Sequence, residues 1–447
     1  MKHYLIIRLT VLLSLVNLAY AQEATVYRLS VKECVQYALS HQKDLKNARV
    51  DVQLAEQDVR SYLAAGYPQI NSSANAVYNA ILPTSLFPTS AFGGKPGEYQ
   101  AAKFGTKYNL TAGVSGRQLL FDGTFFVGLK AAREYVELSR KNIRRSEIET
   151  AAAITKAYYS VLVNRERLGT LETSITQLEA LLKETQAYLD NGFAEKLDVD
   201  RLQVNLNNLR TELEKTRQLV ELSVNLLKFQ MGMDVRAQLE TTDVINPQDF
   251  NPQIPVEGPN VQNRVEYDVL SQTIHLQDLN LKRLKYTWLP TASLYGNMQT
   301  QAQRFKFDFY EYKQQWYPIS SVGLQIDFPI FDGFRRAAAL QKARLDRQKL
   351  QYEIDDLDNA VQFEYQNAKT QLTNNLRTLD MERRNLDLAQ EVYRVTKIKY
   401  EEGVGTNLEV ITADGDLKQA RTNYFNNLLE AYISLVDLQK AMGTLQP

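Results

Sequence analysis

Hydrophobic and polar positions along this chain follow two periods, and the same succession of periods occurs twice. Ahead of Pro68, apolar residues recur every three or four positions for about 35 residues, and ahead of Pro290 they do so for about 25. That spacing predicts helices, which the two prolines end. Two segments of strict alternation follow each proline. In the first copy Ile70, Ala74, Ala76 and Tyr78 oppose Gln69, Asn71, Ser73, Asn75 and Asn79, and Tyr108, Leu110, Ala112 and Val114 oppose Lys107, Asn109, Thr111, Ser115 and Arg117. In the second, Leu294 and Met298 share a face, and Val322, Leu324, Ile326 and Phe328 oppose Ser321, Gly323, Gln325 and Asp327. These predict strands at 68–80, 106–120, 289–300 and 319–330. Such alternation suits a barrel wall between lipid and water, and equally a half-buried sheet. The connections Ala80–Gly105 and Gln301–Pro318 are long, and the second is crowded with aromatics. Long outer loops and interfacial Tyr, Trp and Phe favour the barrel.

The period then returns to helical for a long way. No proline occurs from Thr124 to Asp190 or from Phe334 to Glu401, and each run predicts a helix of about 100 Å. Helices of that length need continuous partners. Leu168, Leu171, Ile175, Leu178, Leu182, Thr185 and Leu189 form one stripe. Val199, Leu202, Leu206, Leu209, Leu213, Thr216 and Val220 form its partner after the Asn191-Gly192 turn. This is an antiparallel coiled-coil hairpin. The second hairpin turns at Gly403–Thr406 and carries Ala413, Leu417, Ala420 and Tyr424. Alanines 151–153 and 337–339 allow close helix approach.

The doubling reaches single motifs. Phe121-Asp122-Gly123 matches Phe331-Asp332-Gly333, DNGFAEKLDV at Asp190 matches EEGVGTNLEV at Glu401, and Met231-Gly232 matches Met442-Gly443, all offset by 210 or 211 residues. Upstream, Asp44-Leu45 before Pro68 matches Glu266-Tyr267 before Pro290 at offset 222. A fixed-period echo sets the architecture. A first repeat occupies 22–244 with its long hairpin at 124–231. A second occupies 263–447 with its hairpin at 333–442. The Pro- and Asn-rich stretch Ile245–Asn260 cannot continue a helix, and the connector is placed at 245–262, against the outside of the helices.

Composition narrows the setting. The chain has 447 residues with 52 basic and 52 acidic side chains, so it lacks the basic excess of a nucleic-acid binder. Lys2, an apolar run entered by Arg8, and Ala19-Tyr20-Ala21 read as a secretory signal peptide over 1–21, cleaved before Gln22. No later run of eighteen apolar residues predicts a membrane-crossing helix. Cys34, the single cysteine, reads as a buried small apolar residue. The three histidines are scattered, and no metal spacing, phosphate loop or nucleophile elbow occurs. The chain is therefore expected to be no enzyme and to need no cofactor or metal.

Four strands cannot close a membrane barrel, because an open edge leaves backbone groups unsatisfied in lipid. Two chains would supply eight strands and three would supply twelve; a wide helical wall and a polar lumen favour twelve. The expectation is an α+β membrane protein: a trimeric 12-stranded β-barrel, four strands per chain, continued by a long antiparallel coiled-coil helical barrel. The repeated FDG then marks where a strand hands over to a helix. Asp122 and Asp332 cap the helix, Gly123 and Gly333 let the chain turn, and Pro329 suits a strand end.

On these features the sequence resembles the TolC-like outer membrane efflux proteins. The likeness rests on the doubled order, Pro290 before a strand, the PIFDG–RR–A run from Pro329 to Ala337, and Gly403-x-x-Thr406-x-Leu408 with its Met442-Gly443 ending. It implies a homotrimer in outer membrane lipid, projecting into the periplasm. It also implies a passive duct docking a periplasmic adaptor (membrane fusion protein) that serves an inner-membrane pump. The resemblance assigns adaptor docking to Gly192, Phe193, Ala194, Gly403, Val404, Gly405 and Thr406. It assigns pore-gating positions to Asp198, Glu409 and Tyr400, while a further acidic position of the family falls on Thr412. Glycines that end helices and carboxylates on a solvated face are the plainer readings of the same residues. A secreted or periplasmic coiled-coil scaffold without a pore explains the helices but not four amphipathic strands. A periplasmic adaptor would carry one hairpin, not two.

Overall fold

The computed structural model describes residues 26–245, 250, 252–255 and 258–446; the expected signal peptide and cleavage site lie outside these. The chain forms two compact units whose boundaries all fall inside helices. One contains residues up to Asp51, Arg140–Leu270 and Glu353 onward. The other contains Val52–Ser139 and Ser271–Tyr352.

The second unit holds a four-stranded antiparallel sheet of β2 (Gln69–Tyr78), β5 (Tyr108–Phe121), β7 (Thr291–Arg304) and β8 (Tyr317–Asp327), in that order. Its register aligns the alternating patterns. Directly opposed residues share a face of the sheet. Ile70, Gly116, Gly296 and Val322 stand in one row, and Ser72, Val114, Met298 and Ser320 in another. Asn71, Ser115, Asn297 and Ser321 form a row of the opposite face. One face is thus mostly apolar across all four strands and the other polar. On the polar face the Tyr295 ring lies across Gly323, its register partner, where a Cβ would come within 2.5 Å of the ring. The strand bounds differ from expectation mainly at β7, which runs on to Arg304. The Arg304 guanidinium, 6% exposed, pairs with Asp308 at 3.3 Å and stacks over Phe309, and these contacts extend order into the aromatic loop. The connection Ala80–Gly105, expected to be loop, contains a hairpin of β3 (Thr84–Pro88) and β4 (Tyr99–Lys103), with Phe87 against Phe104.

The first unit packs helices. The first expected helix is two, α1 (Val31–His41) and α2 (Lys43–Ala64, which runs on into the second unit). They break at Gln42, whose backbone is extended and whose side chain accepts from Leu45 N at 2.8 Å. The long helices are α3 (Gly123–Asp190) and α4 (Lys196–Met231), then α6 (Arg335–Glu401) and α7 (Asn407–Ala441) after α5 (Val265–Tyr286). A short parallel pair, β1 (Val26–Leu29) with β6 (Gln238–Thr241), was not expected from the pattern. It is tied down by Tyr158, a fully buried residue whose hydroxyl donates to Leu29 O and accepts from Asp243 N. Of the connector, Phe250 packs its ring at a tilt against Tyr432, and Tyr365 donates to Pro255 O; residues 246–249, 251, 256 and 257 lie outside the described ones.

The Met-Gly endings meet the same surroundings in both copies. Gly232 has φ +69° and packs on the backbone of His41 and Gln42, where a Cβ would sit 2.8 Å from a Cα. Gly443 has φ +70° and faces Asn263 O, which a Cβ would meet at 3.2 Å. The paired positions are offset by 211 and 222, as in the sequence. At the second contact Arg264 is buried. Its guanidinium is satisfied by Glu266, Glu364 and Ala441 O, as a buried charge requires.

One expectation needs correction. Gly123 has no positive φ and is the first residue of α3; a Cβ there would strike Leu289 Cδ1 at 2.8 Å, so packing against a side chain, not turning, requires the glycine. Gly333 does turn, at φ +65°. Among the described residues Ala337 and Ala338 are exposed, whereas Ala151 and Ala152 are buried.

Replacing Gly232 by Ala combines a left-handed backbone with a backbone clash. It is expected to cost more than about 2 kcal/mol, against about 1 kcal/mol for Gly443→Ala. Urea unfolding of the two variants in detergent checks the order.

Candidate functional site

The sequence-derived site residues fall at two places, the hairpin turns in the first unit and the strand-to-helix junctions in the second. The two turns are built alike. At the end of α3, Gly192 takes φ +79° and Phe193 N donates to Tyr188 O at 2.8 Å. At the end of α6, Gly403 takes φ +75° and Val404 N donates to Lys399 O at 2.9 Å. Each glycine therefore ends a helix in the left-handed conformation that an L side chain resists. The residue after it is pushed into solvent: Phe193 is 84% exposed and Val404 78%. Gly405 has a separate reason to be glycine, since a Cβ would lie 3.0 Å from the Lys399 Cβ and 3.1 Å from Tyr400 N. Its counterpart is Ala194, so the first turn is the roomier one.

The next helices start with reciprocal caps. Glu409 N donates to Thr406 Oγ1 at 3.3 Å, and Thr406 N to Glu409 Oε2 at 3.4 Å. In the first hairpin Glu195 N donates to Asp198 Oδ2 at 3.4 Å. Asp198 and Glu409 thus occupy the same place, the third residue of α4 and of α7. There a carboxylate satisfies an orphan backbone donor and meets the positive end of the helix.

Three side chains tie the two turns together. Asn407 Nδ2 donates to Asp198 O at 3.2 Å, and Tyr400 OH to Thr185 Oγ1 at 3.3 Å. Farther along the same two helices, Asn205 Nδ2 donates to Asp414 Oδ2 at 2.6 Å. A groove of about 850 Å³ between the turns is lined by Gly192, Phe193, Asp198, Tyr400, Gly403 and Thr406. Beside it Leu197, Val204 and Leu408, each more than half exposed, line an apolar groove of about 410 Å³. The sequence reading missed Asn407, Thr185 as a partner, and these three apolar residues. A signal existed for the last: Leu197 and Leu408 match at offset 211, and Val204 lies a heptad after Leu197, off the seam of Val199, Leu202 and Leu206.

The junctions use one motif in two ways. Asp122 Oδ1 accepts from Thr124 N and Thr124 Oγ1, both at 2.7 Å, just after Phe121 ends β5. Asp332 Oδ2 accepts from Arg336 N at 3.0 Å and Arg336 Nε at 2.8 Å. The same guanidinium donates to Pro329 O and Thr287 O and stacks 4.3 Å from the Trp288 ring. Burial pushes the Asp332 carboxyl up, but the hydrogen bonds and charge of Arg336 outweigh it and hold it below the usual carboxylate range. The first copy has Phe126 where the second has Arg336, so only the second junction carries this clamp. Phe331 and Phe334, both largely exposed, meet edge to face beside it, and Phe334 itself takes φ +65°.

These features can be set against known proteins. The sequence model of the outer membrane efflux proteins matches residues 34–233 and 281–444. An antibiotic efflux pump outer membrane protein, ArpC of Pseudomonas putida, is 22% identical over 423 residues, covering 93% of this chain and 83% of that protein. Outer membrane protein OprJ of Pseudomonas aeruginosa is 22% identical over 432 residues, with 92% and 84% covered. Among solved structures, CusC, described with its transmembrane channel formation, superposes with a TM-score of 0.73 at 17% identity, over 93% of each chain.

The cap at Thr406 is directly testable. Thr406→Ala removes the Thr406 Oγ1 acceptor and leaves the Glu409 N–H only the Thr406 O at 3.2 Å, and is expected to cost about 1 kcal/mol. Faster amide hydrogen exchange over residues 407–410, with the rest of the chain unchanged, is the readout.

Proposed function

This chain belongs to the outer membrane efflux protein family, and we propose that it works as the homotrimeric exit duct of a tripartite efflux or type I secretion assembly. As a member it is an outer membrane channel protein; the stoichiometry, the partners and the residue roles are the proposal. The observation that carries it is the two-faced sheet. Val322, Leu324 and Met298 are exposed on its apolar face. Its outer strands β2 and β8 pair on one side only among the described residues. An apolar face with open edges cannot rest in hydrocarbon until both edges are paired. Joining β8 of one copy to β2 of the next does this, and three copies give twelve strands. The exposed Ala337 and Ala338 then meet a neighbouring copy, where small side chains let helices approach.

In this reading the turns at Gly192–Ala194 and Gly403–Thr406 dock a periplasmic adaptor fed by an inner-membrane pump. Phe193 and Val404 are presented outward, as anchors for a partner surface. Asp198, Glu409 and Tyr400 act at the pore: the carboxylates recur around its axis and favour cations, and Tyr400 holds the second hairpin to the first through Thr185. The strand-to-helix residues Phe121, Asp122, Gly123, Pro329, Phe331, Asp332 and Gly333 support the duct where its wall changes from sheet to helix.

Light scattering of the mature protein, with detergent subtracted, is expected to give three chains per particle; a soluble monomer or dimer without detergent defeats the duct. Gly403→Trp is expected to abolish adaptor capture while the trimer still forms. Undiminished capture removes docking from that turn.

A further inference from the structure

Within the first unit the hairpins enclose two apolar cores, and a polar layer crosses the turn-side core where it adjoins the other. One core contains Tyr158, Leu227, Phe425 and Leu428. The other, toward the turns, contains Leu178, Leu206, Val410 and Leu417. On α7 the buried stripe runs Val410, Leu417, Tyr424, Leu428, and two charged residues interrupt it, Asp414 and Arg421. Asp414 accepts from Asn205 of α4, and Arg421 donates to Ser174 of α3. The Arg167–Glu212 pair, at 2.8 Å, closes the side of a cavity of about 20 Å³ lined by Asp414, Ser174 and Arg421. That is room for a single water. Arg421 Nε is buried with no hydrogen-bond partner among the described residues.

This layer is expensive where it stands. Burial pushes the Asp414 carboxyl up, and the facing groups Asn205, Arg421 and Lys418 offset this only in part. Burial likewise pulls the Arg421 guanidinium down against the opposing pull of Asp414 and of Tyr393 on α6. A partly satisfied buried polar network is a weak point in a bundle, and apolar residues in its place would hold the hairpins together better.

A second observation points the same way. Gly415 adjoins Asp414, and Gly169 lies between Arg167 and Thr170. Both sit in helix interiors on exposed faces, and among the described residues a Cβ at either would meet nothing within 4 Å. Packing within this chain does not demand them, yet each weakens its helix. Around Gly169 the hydroxyls of Thr170, Thr173 and Ser174 donate to carbonyls four residues back, a bond that bends helices.

We propose that this glycine-flanked polar layer is the bending segment of the hairpins, about which the turn-side core swings against the core built on Tyr158 and Leu428. Its use, to widen and narrow the duct at the turns, rests on the channel reading above.

Hydrogen exchange by mass spectrometry on the intact protein in detergent tests the bend, and planar-bilayer conductance tests its use. Amides over 167–174 and 414–421 are expected to exchange faster than those over 154–163 and 424–431. The double variant Gly169→Ala with Gly415→Ala slows the layer by about two- to fivefold. Asp414→Leu with Arg421→Met, which makes the layer apolar, slows it as well, and both variants conduct less than the parent. Exchange in the layer no faster than in its flanks overturns the proposal. So does exchange indifferent to the alanines. Loss of the oligomer with exchange unchanged assigns the glycines to a contact between copies and overturns it too. Slowed exchange with unaltered conductance removes the gating role. A parent protein that conducts nothing defeats the channel reading while leaving the exchange comparison intact.

Discussion

Backbone hydrogen bonding in a medium without water is the constraint on which this structure turns. Each strand carries N–H and C=O groups at every residue, and hydrocarbon offers them nothing. A soluble sheet can leave an edge to solvent. A sheet whose apolar face meets lipid cannot, so in the proposed duct β2 and β8 commit the chain to partners. The register serves the same end: because opposed residues share a face, aligning Val114 with Met298 and Gly116 with Gly296 collects the apolar side chains of four strands on one surface. A slip of one residue in any pair would carry polar side chains to the lipid.

The helical part answers a different problem, how to keep very long helices packed. Leucine seams supply the cohesion, and burial extends beyond a two-helix stripe. Leu181, off the expected seam, is buried because the second hairpin packs on the first, with Tyr393, Val410 and Leu417 in the same core. Polar contacts between the hairpins, such as Tyr400 with Thr185 and Asn407 with Asp198 O, add direction more than strength, since an exposed or half-buried hydrogen bond contributes little net. Asp414 and Arg421 are the exception, charged groups where an apolar residue would hold better.

Most of the architecture could be read from the pattern. Strict alternation located all four strands of the sheet, the proline-free stretches located the long helices, and the echo at 210–211 residues located both turns. Equivalent sites behave alike at Gly192 and Gly403, and at Gly232 and Gly443, because a left-handed helix end selects glycine wherever it occurs. What escaped the pattern was short or non-local. The pair β1 and β6 spans four residues each, too few for a period to show, and is held by Tyr158 from another element. The break at Gln42 is set by the close approach of Gly232, almost 200 residues away.

The sequence by itself therefore determined the kinds of element, their order, and the class of protein, since these follow from local period, local turn chemistry and an internal echo. It could not tell why a given glycine is there: Gly123, Gly333 and Gly405 look alike in sequence, yet one is kept for packing, one for φ and one for space beside Lys399. Nor could it show that Asp198 and Glu409 cap helices, or that Asn407, Thr185 and Asp414 meet partners on another hairpin. Those facts depend on which side chains the fold brings within a few ångströms of each other. Hydrogen bonding and close packing are decided at that range, and the spacing of residues along a chain does not encode it.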